Sequence, residues 1–164
     1  MTAYKFLLAG RVAPFSAVTW PEPGEWLEAE SVDLCRTGVH ACRLPQLPYW
    51  LRDELWEVEL EGETVESELA VAARRGRLIR RIDAWTGETA HAFAAACAAE
   101  ARRRAQGDPA LEEYAADAEA ASRSAPPVAA FIAARLAEVQ DGEAGYEAER
   151  RRQADWLADA LRLS

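Results

Sequence analysis

The composition of this sequence changes abruptly near residue 86. Five of its six tryptophans precede that point, in a stretch that prolines and glycines interrupt often. Alanine dominates the residues that follow, in long runs without either breaker. Large aromatic residues between frequent breaks are typical of short strands, whereas uninterrupted alanine-rich runs favour helices. The sequence therefore predicts an α+β protein with a β-rich domain at 1–84 and an Ala-rich helical region at 85–164.

The clearest strand is predicted at 54–61. Apolar side chains beginning at Trp56 alternate there with glutamates, which indicates a strand with one buried face. Gly62 is expected to end it, and Gly76 to form a turn or bulge between two later strands. A single helical turn is expected at 45–51. The remaining strands of this small, mostly antiparallel, Trp-rich sheet are predicted at 4–8, 25–29, 38–42, 69–74 and 78–82.

Helix signals fill the second half of the chain. Thr86 can cap a helix that runs to about Gln106, with Glu88 in its first turn and three arginines in its last turn. Alanine faces bury little apolar area, so we expect this bundle to pack on the sheet or on a second copy of the chain, as a homodimer formed through the C-terminal helices. Three further helices are predicted at 109–124, 126–140 and 143–163.

Net charge and cysteine usage restrict the function classes. The formal charge is −9 and the isoelectric point is about 4.8, which disfavours nonspecific binding to nucleic acid. The N-terminal apolar run is too short for a membrane span or a signal-peptide core. Three cysteines are too few for a disulfide scaffold and indicate reduced thiols. We therefore predict a cytoplasmic protein without a membrane segment.

One group of residues has the chemistry of a zinc site. Cys35, His40 and Cys42 carry the side chains that tetrahedral zinc prefers, and strand alternation puts His40 and Cys42 on one face. The sequence has no Cys-x-x-Cys hairpin, however, and His91 and Cys97 lie roughly 120° apart on one helix. The spacing favours core cysteines over zinc. A metal- or thiol-dependent site at these three residues stays open as an alternative.

Positive charge is densest between positions 74 and 81. Arginines on neighbouring strands could bind one phosphate or carboxylate. Glutamates at Glu57, Glu59 and Glu61 could instead pair with them across the sheet. The arginines concerned are Arg74, Arg75, Arg77, Arg80 and Arg81.

Several short motifs resemble an uncharacterised family of bacterial proteins. They are the string Gly38-Val39-His40-Ala41-Cys42, the turn Pro48-Tyr49-Trp50 and the strand that begins at Glu54. Phage proteins with a Gly-Phe-His-Ala-Cys motif contain shorter versions of them. This resemblance implies no particular activity.

More remotely, residues 38–82 resemble the core of the ADP-ribosyltransferases, which act on NAD. The likeness lies in the order of a Gly-initiated strand, a helix ending in an aromatic residue, a Glu-Val-x-Leu strand and a later Glu-bearing strand. It implies that His40 occupies the position that stacks on nicotinamide and that Glu68 is the catalytic glutamate. The family's first strand carries a His or Arg that binds NAD; here Arg11 follows that strand instead. Cofactor-binding residues would then be Arg11, Tyr49, Trp50 and Arg77.

Three functions remain open at this point. The first is a nucleotide- or small-molecule-binding protein, with NAD as a possible cofactor and an ADP-ribosyltransferase-like transferase as its enzymatic form. The second is a noncatalytic interaction or structural protein that oligomerises through its helices. The third is the metal- or thiol-dependent site. The tryptophans fit either a solid core or an aromatic pocket.

Overall fold

The structure is a computed structural model that describes residues 1–34 and 36–163. It divides into two compact units, Met1–Thr86 (the sheet unit) and Gly87–Ser164 (the helical unit). The five-stranded antiparallel sheet and the helices confirm the α+β class. The elements are β1 (Thr2–Leu7), β2 (Leu27–Glu28), β3 (Val39–Ala41), a 3-10 helix (Leu44–Tyr49), β4 (Glu54–Glu66), β5 (Val71–Arg81), α1 (Gly87–Ala105), α2 (Pro109–Ser122) and α3 (Pro126–Leu161).

The sheet is ordered β1-β4-β5-β2, and β3 also pairs with β5. Cys42, the residue after β3, pairs with Tyr4 of β1 through two backbone hydrogen bonds of 2.8 Å. One face of the sheet carries a hydrophobic core of large and small side chains. Its buried members are Ala3, Leu7, Ala13, Trp20, Val39, Ala41, Trp56, Val58, Leu60, Val71, Ala73 and Leu78.

Two expectations for the sheet are wrong. Residues 69–82 do not form two strands separated at Gly76, because β5 runs unbroken through that glycine. A Cβ on Gly76 would lie 2.8 Å from Val39 Cγ1 and 2.9 Å from Leu60 Cδ2, so the glycine permits close packing inside the sheet. Gly62 does not end β4 either. It has a φ of 87° and lies at a register shift between Glu61 and Thr64, as a bulge does.

The helical unit follows the predicted pattern closely. Asp108 caps α2 by accepting a hydrogen bond from the Ala110 amide, 3.0 Å long. α3 breaks at Gly142, whose φ of 69° and ψ of −160° are not helical, so it forms the two consecutive helices that were expected. The core here consists mainly of alanine, with Phe93 as its largest buried side chain. Among the described residues, no helix is both long enough and apolar enough to cross a membrane.

Candidate functional site

Three of the six candidate site residues lie together at one end of the sheet unit. The 3-10 helix ends at Tyr49, Trp50 follows it directly, and both lie on the segment that packs beside the turn at 67–70, which contains Glu68. Gln46 Nε2 donates to the carbonyl oxygens of Ser67 and Glu68, at 2.9 and 3.1 Å. Trp50 Nε1 donates to the Leu69 carbonyl oxygen at 2.6 Å. These bonds fix the glutamate-bearing turn next to the aromatic residues.

An exposed aromatic residue that sequence reasoning missed lies against this end. The side chain of Phe15 is 76% exposed, and its ring meets that of Trp50 edge-on at 6.0 Å. The guanidinium of Arg52 lies 5.9 Å from the centre of the Phe15 ring. We call Phe15, Trp50, Arg52 and the exposed Leu69 the Phe15–Trp50 surface. Only the path of the loop at 14–19 places Phe15 here, and the sequence offers no local signal for it.

His40 lies on β3. It lies between Val39 and Ala41 of the core and pairs in register with Ala72, four positions beyond Glu68. Its Nδ1 is 3.0 Å from the Gly38 carbonyl oxygen, and burial lowers the pKa of its imidazole. The Glu68 side chain is exposed in its turn. Hydrogen bonds thus join the turn of Glu68 to Gln46 and Trp50, and Nδ1 of His40 lies beside the Gly38 carbonyl oxygen.

The arginines proposed to bind a cofactor already have carboxylate partners. Arg11 pairs with Glu22 at 2.5 Å and donates to the Trp20 carbonyl oxygen at 3.3 Å. Arg77 pairs with Glu59 at 2.7 Å, and its guanidinium lies 4.6 Å from the ring of Trp26. The cross-strand pairing expected for the arginine-rich segment is therefore present. An incoming phosphate would have to compete with these glutamates.

The expected zinc group is only partly described. Cys35 lies outside the described residues. Cys42 is buried, its thiol donates to the Tyr4 carbonyl oxygen at 3.2 Å, and burial raises its pKa to about 12. Such a thiol stays protonated at neutral pH and is a poor nucleophile. In residues 1–34 and 36–163, no three His, Cys, Asp or Glu side chains are arranged to hold a metal ion.

Lys5 is a half-buried titratable group that sequence reasoning did not select. It lies in β1 in register with Trp56, and its neighbours two positions away, Ala3 and Leu7, belong to the core. Removal from water lowers the pKa of its amine to about 8. It is close enough to His40 and Cys42 for its charge to affect the pKa of both. A single lysine in the middle of an apolar strand was the available signal.

The helical unit exposes an apolar row on the first half of α3. Val128, Phe131 and Val139 are 48%, 50% and 57% exposed, and we call these three residues the α3 stripe. An open cleft of about 350 Å³ adjoins it, lined by Phe131, Arg135, Glu138, Glu143 and Tyr146. A larger open cleft of about 680 Å³ lies between α1 and α2. His40 and Glu68 are not among the described residues that line these two clefts.

Comparison with other proteins adds no assignment. Family models, curated proteins and solved structures all gave no match to this chain. The functional candidates therefore depend on the contacts described above.

Proposed function

We propose that this chain is a noncatalytic cytoplasmic interaction protein that associates with a second copy of itself through the α3 stripe. The observation that carries this proposal is the exposure of three large apolar residues along one side of one helix. At about 100° per residue, positions 128, 131, 135 and 139 fall within a sector of about 80°. The opposite side of the same helix, which includes Ala130 and Ala133, is buried inside the unit.

A second copy is the partner that the charges around the stripe favour. The adjoining cleft contains one basic residue, Arg135, beside the acidic residues Glu138 and Glu143. Arg135 pairs with Glu138 of its own chain, and a twofold axis across the stripe would place each such pair opposite its counterpart, with positive charge facing negative charge. Such an interface is self-complementary, as symmetric dimers require. A strongly acidic or strongly basic partner would match only half of this surface.

The size of the stripe sets the expected strength of the dimer. Stable interfaces bury about 800 Å² per partner, and three half-exposed side chains supply only part of that area. We therefore expect a weak dimer whose population depends on protein concentration. Ala-rich helices and Arg135 around the stripe would supply the remaining contact.

Sedimentation velocity over a hundredfold range of protein concentration would test this proposal. We expect the wild-type sedimentation coefficient to rise with concentration and that of Phe131→Asp to stay at the monomer value. Tyr114→Asp, which replaces an exposed aromatic residue on α2, is the matched control and should dimerise like wild type. A wild-type chain that stays monomeric throughout, or a Phe131→Asp chain that dimerises equally well, would contradict the proposal.

A second candidate function is nucleotide binding at the Phe15–Trp50 surface. The specific observation in its favour is that Trp50, which is hydrogen-bonded to the turn containing Glu68, lies against the exposed ring of Phe15, with the Arg52 guanidinium beside that ring. Aromatic rings stack on bases, and Arg52 could pair with a phosphate. The resemblance to ADP-ribosyltransferases adds NAD as the nucleotide to try first, with Glu68 as the catalytic glutamate.

Thermal-shift measurements with NAD would test this second candidate. A ligand that binds only the folded protein must raise Tm, by an amount that grows with its concentration. We expect a rise in the wild type that Phe15→Ser abolishes. Val18→Ser, an exposed apolar position in the same loop region, serves as the control. No rise with NAD or with ADP would remove this candidate and leave the dimer proposal untouched.

A further inference from the structure

Both ring nitrogens of His91, near the start of α1, lie next to backbone carbonyl oxygens. Nδ1 is 3.1 Å from the Gly87 carbonyl oxygen, one helical turn earlier. Nε2 is 2.8 Å from the carbonyl oxygen of Arg123, at the end of α2. A carbonyl oxygen can only accept, so both bonds require a hydrogen on each ring nitrogen. Neutral imidazole carries only one such hydrogen, and therefore only the imidazolium form of His91 can donate both bonds.

The turn between α2 and α3 is a place where a positive charge is favourable. Arg123 is the C-cap of α2, and residues 119–122, the last turn of that helix, contain no basic side chain. The aligned peptide dipoles leave partial negative charge at this end of the helix, which a cation stabilises. The next helix begins at Ala125 as its N-cap, and a methyl side chain cannot accept a capping hydrogen bond. His91 therefore supplies this turn with a charged donor that the ends of its two helices lack.

The two carbonyl oxygens, rather than charged neighbours, determine the pKa of this imidazole. The bond to the Arg123 carbonyl and the bond to the Gly87 carbonyl raise the pKa, and a smaller effect of desolvation lowers it. Residues 126–132, the start of α3, contain no charged side chain. Charged residues do occur on the first turn of α1 and near the ends of α2 and α3, and none of these groups shifts the pKa of His91: Glu88, Glu119, Arg123, Asp155, Asp159 and Arg162.

We propose that His91 is a pH-sensitive switch of the helical unit, whose imidazolium joins the start of α1 to the turn between α2 and α3. Loss of the proton breaks one of the two bonds. Because the pKa is raised in the folded chain, the imidazolium stabilises the fold fully below pH 6.5, and this stabilisation is lost as the pH rises through the raised pKa. The side chain is exposed, so its proton exchanges with water without opening of the helices. The switch acts within one chain and does not depend on the proposed dimer.

The sequence allows an internal control, because His40 and His91 are its two histidines. Burial lowers the pKa of His40, whereas the carbonyl bonds raise that of His91. An NMR titration of both imidazole rings from pH 5 to pH 9 should therefore give a midpoint above pH 6.5 for His91 and below pH 6.5 for His40. A His91 midpoint at or below pH 6.5 would overturn the proposal. Phe131→Asp should leave both midpoints unchanged, which separates this result from that of the dimer test.

Amide hydrogen exchange would measure how firmly the switch holds the turn. The amides of Ser124 and Ala125 donate to the Ala121 carbonyl oxygen at 3.1 and 2.8 Å. After correction for intrinsic exchange, we expect their opening equilibrium constant to be about two- to fivefold larger at pH 8.5 than at pH 5.5. His91→Gln cannot lose a proton and should remove this difference, and the Asp108 amide in the turn between α1 and α2 should not show it. Wild-type opening that is equal at both pH values, or an unchanged pH dependence in His91→Gln, would contradict the proposal.

Discussion

The sheet unit and the helical unit fill their interiors with side chains of different size. Phe6, Trp20 and Trp56 are buried in the sheet unit, and Phe6 meets Trp85 edge-on at 5.2 Å. In the helical unit, alanines such as Ala94, Ala101 and Ala133 occupy most buried positions. Each large side chain removes much more apolar surface from water than an alanine does, at about 25 cal/mol per Å². The helices must therefore compensate by approaching one another closely.

The two units also differ in where they place their charges. Glutamates of β4 pair with arginines of β5 on an accessible face, for example Glu57 with Arg80 at 2.6 Å. In the helical unit, Glu149 is 1% exposed and Gln153 is 0% exposed, and the two are joined by a hydrogen bond of 2.9 Å. Glu149 also pairs with Arg152 at 2.7 Å. Substituting a charged or polar residue of this buried network should therefore lower the free energy of unfolding far more than substituting one on the surface of the sheet.

The largest expected effect concerns the close approach of the two halves of α3. A Cβ on Gly145 would collide with the carbonyl oxygen of Ala137 and lie 2.7 Å from Asp141 Cβ. Because backbone cannot move aside cheaply, we expect Gly145→Ala to lower the free energy of unfolding by about 3 kcal/mol. Gly87→Ala is the matched control, since nothing lies within 4 Å of a Cβ there. Urea unfolding followed by circular dichroism measures both, and equal stability of the two variants would contradict this account.

Next comes the buried polar network of α3. Gln153 Nε2 also donates to the Ala130 carbonyl oxygen at 2.9 Å, so the network joins the two halves of the helix. Removing the charge of Glu149 leaves Arg152 with a weakened partner, and we expect Glu149→Gln to cost about 2 kcal/mol. Glu138→Gln removes an exposed partner of Arg135 and should cost less than about 1 kcal/mol. Chemical denaturation at pH 7 distinguishes these values, and a reversed order would show that the buried network does not stabilise the fold.

A smaller effect of opposite sign is expected at Lys5. Its folded pKa of about 8 is below the ordinary value of 10.5, so the unfolded chain binds more protons between those values. The free energy of unfolding therefore rises between pH 8 and pH 10.5 as the Lys5 amine loses its proton. Below pH 8 the buried charge destabilises the folded protein to its full extent. We expect Lys5→Met to stabilise the protein by about 1 to 2 kcal/mol at pH 7.

The pH dependence of the Lys5→Met difference provides the control for that prediction. Burial raises the pKa of Cys42 and of Cys97 to about 12, which lowers stability above pH 9 in wild type and variant alike. The contribution of Cys97 cancels in the difference between the two proteins, whereas that of Cys42 keeps its interaction with Lys5. The difference should shrink towards zero by pH 10.5. A difference that stays constant from pH 7 to pH 10.5 would mean that the charge of Lys5 is already solvated.

The smallest effect is expected on the sheet surface. Arg77 pairs with Glu59 and covers the ring of Trp26, yet both charged side chains are more than one-third exposed. We expect Arg77→Gln to cost about 0.5 kcal/mol, less at high salt. Arg74→Gln, at an exposed position on the same strand, should cost nothing measurable. If Arg77→Gln lowered the free energy of unfolding as much as Glu149→Gln, charged residues would affect stability equally in the two units, contrary to this account.

Much of the fold was predictable because its signals are local. The alternation after Glu54 follows from the side-chain period of a strand, and β4 has this burial pattern up to Leu60. Helix boundaries were predicted just before residue 109 and between 140 and 143, and the structure has the Asp108 cap and the positive φ of Gly142 at these places. Gly76 was misread because a glycine in a turn and a glycine under close packing look identical in one sequence. Only the methyl groups of Val39 and Leu60 distinguish the two cases.

The candidate site was predictable only in part. The resemblance selected Tyr49, Trp50 and Glu68, and their segments are joined by hydrogen bonds from Gln46 to the Glu68 carbonyl oxygen and from Trp50 to the Leu69 carbonyl oxygen. It also selected His40, which pairs with Ala72 in the sheet. A shared site at these residues stays a prediction. The contact of Phe15 with Trp50 could not be predicted, because it depends on the path of a loop, which no periodicity in the sequence indicates.

By itself, the sequence determined the class of fold, the helix boundaries and the alternating strand, since each depends on interactions among residues within a few turns or positions. Only the tertiary structure determined which side chains are buried away from water and which form hydrogen bonds or ion pairs. Lys5 shows the difference: its neighbour Trp56 is fifty-one positions away and Cys42 is thirty-seven away. The pKa of its amine depends on this tertiary packing, because the burial that lowers it arises only when distant segments meet.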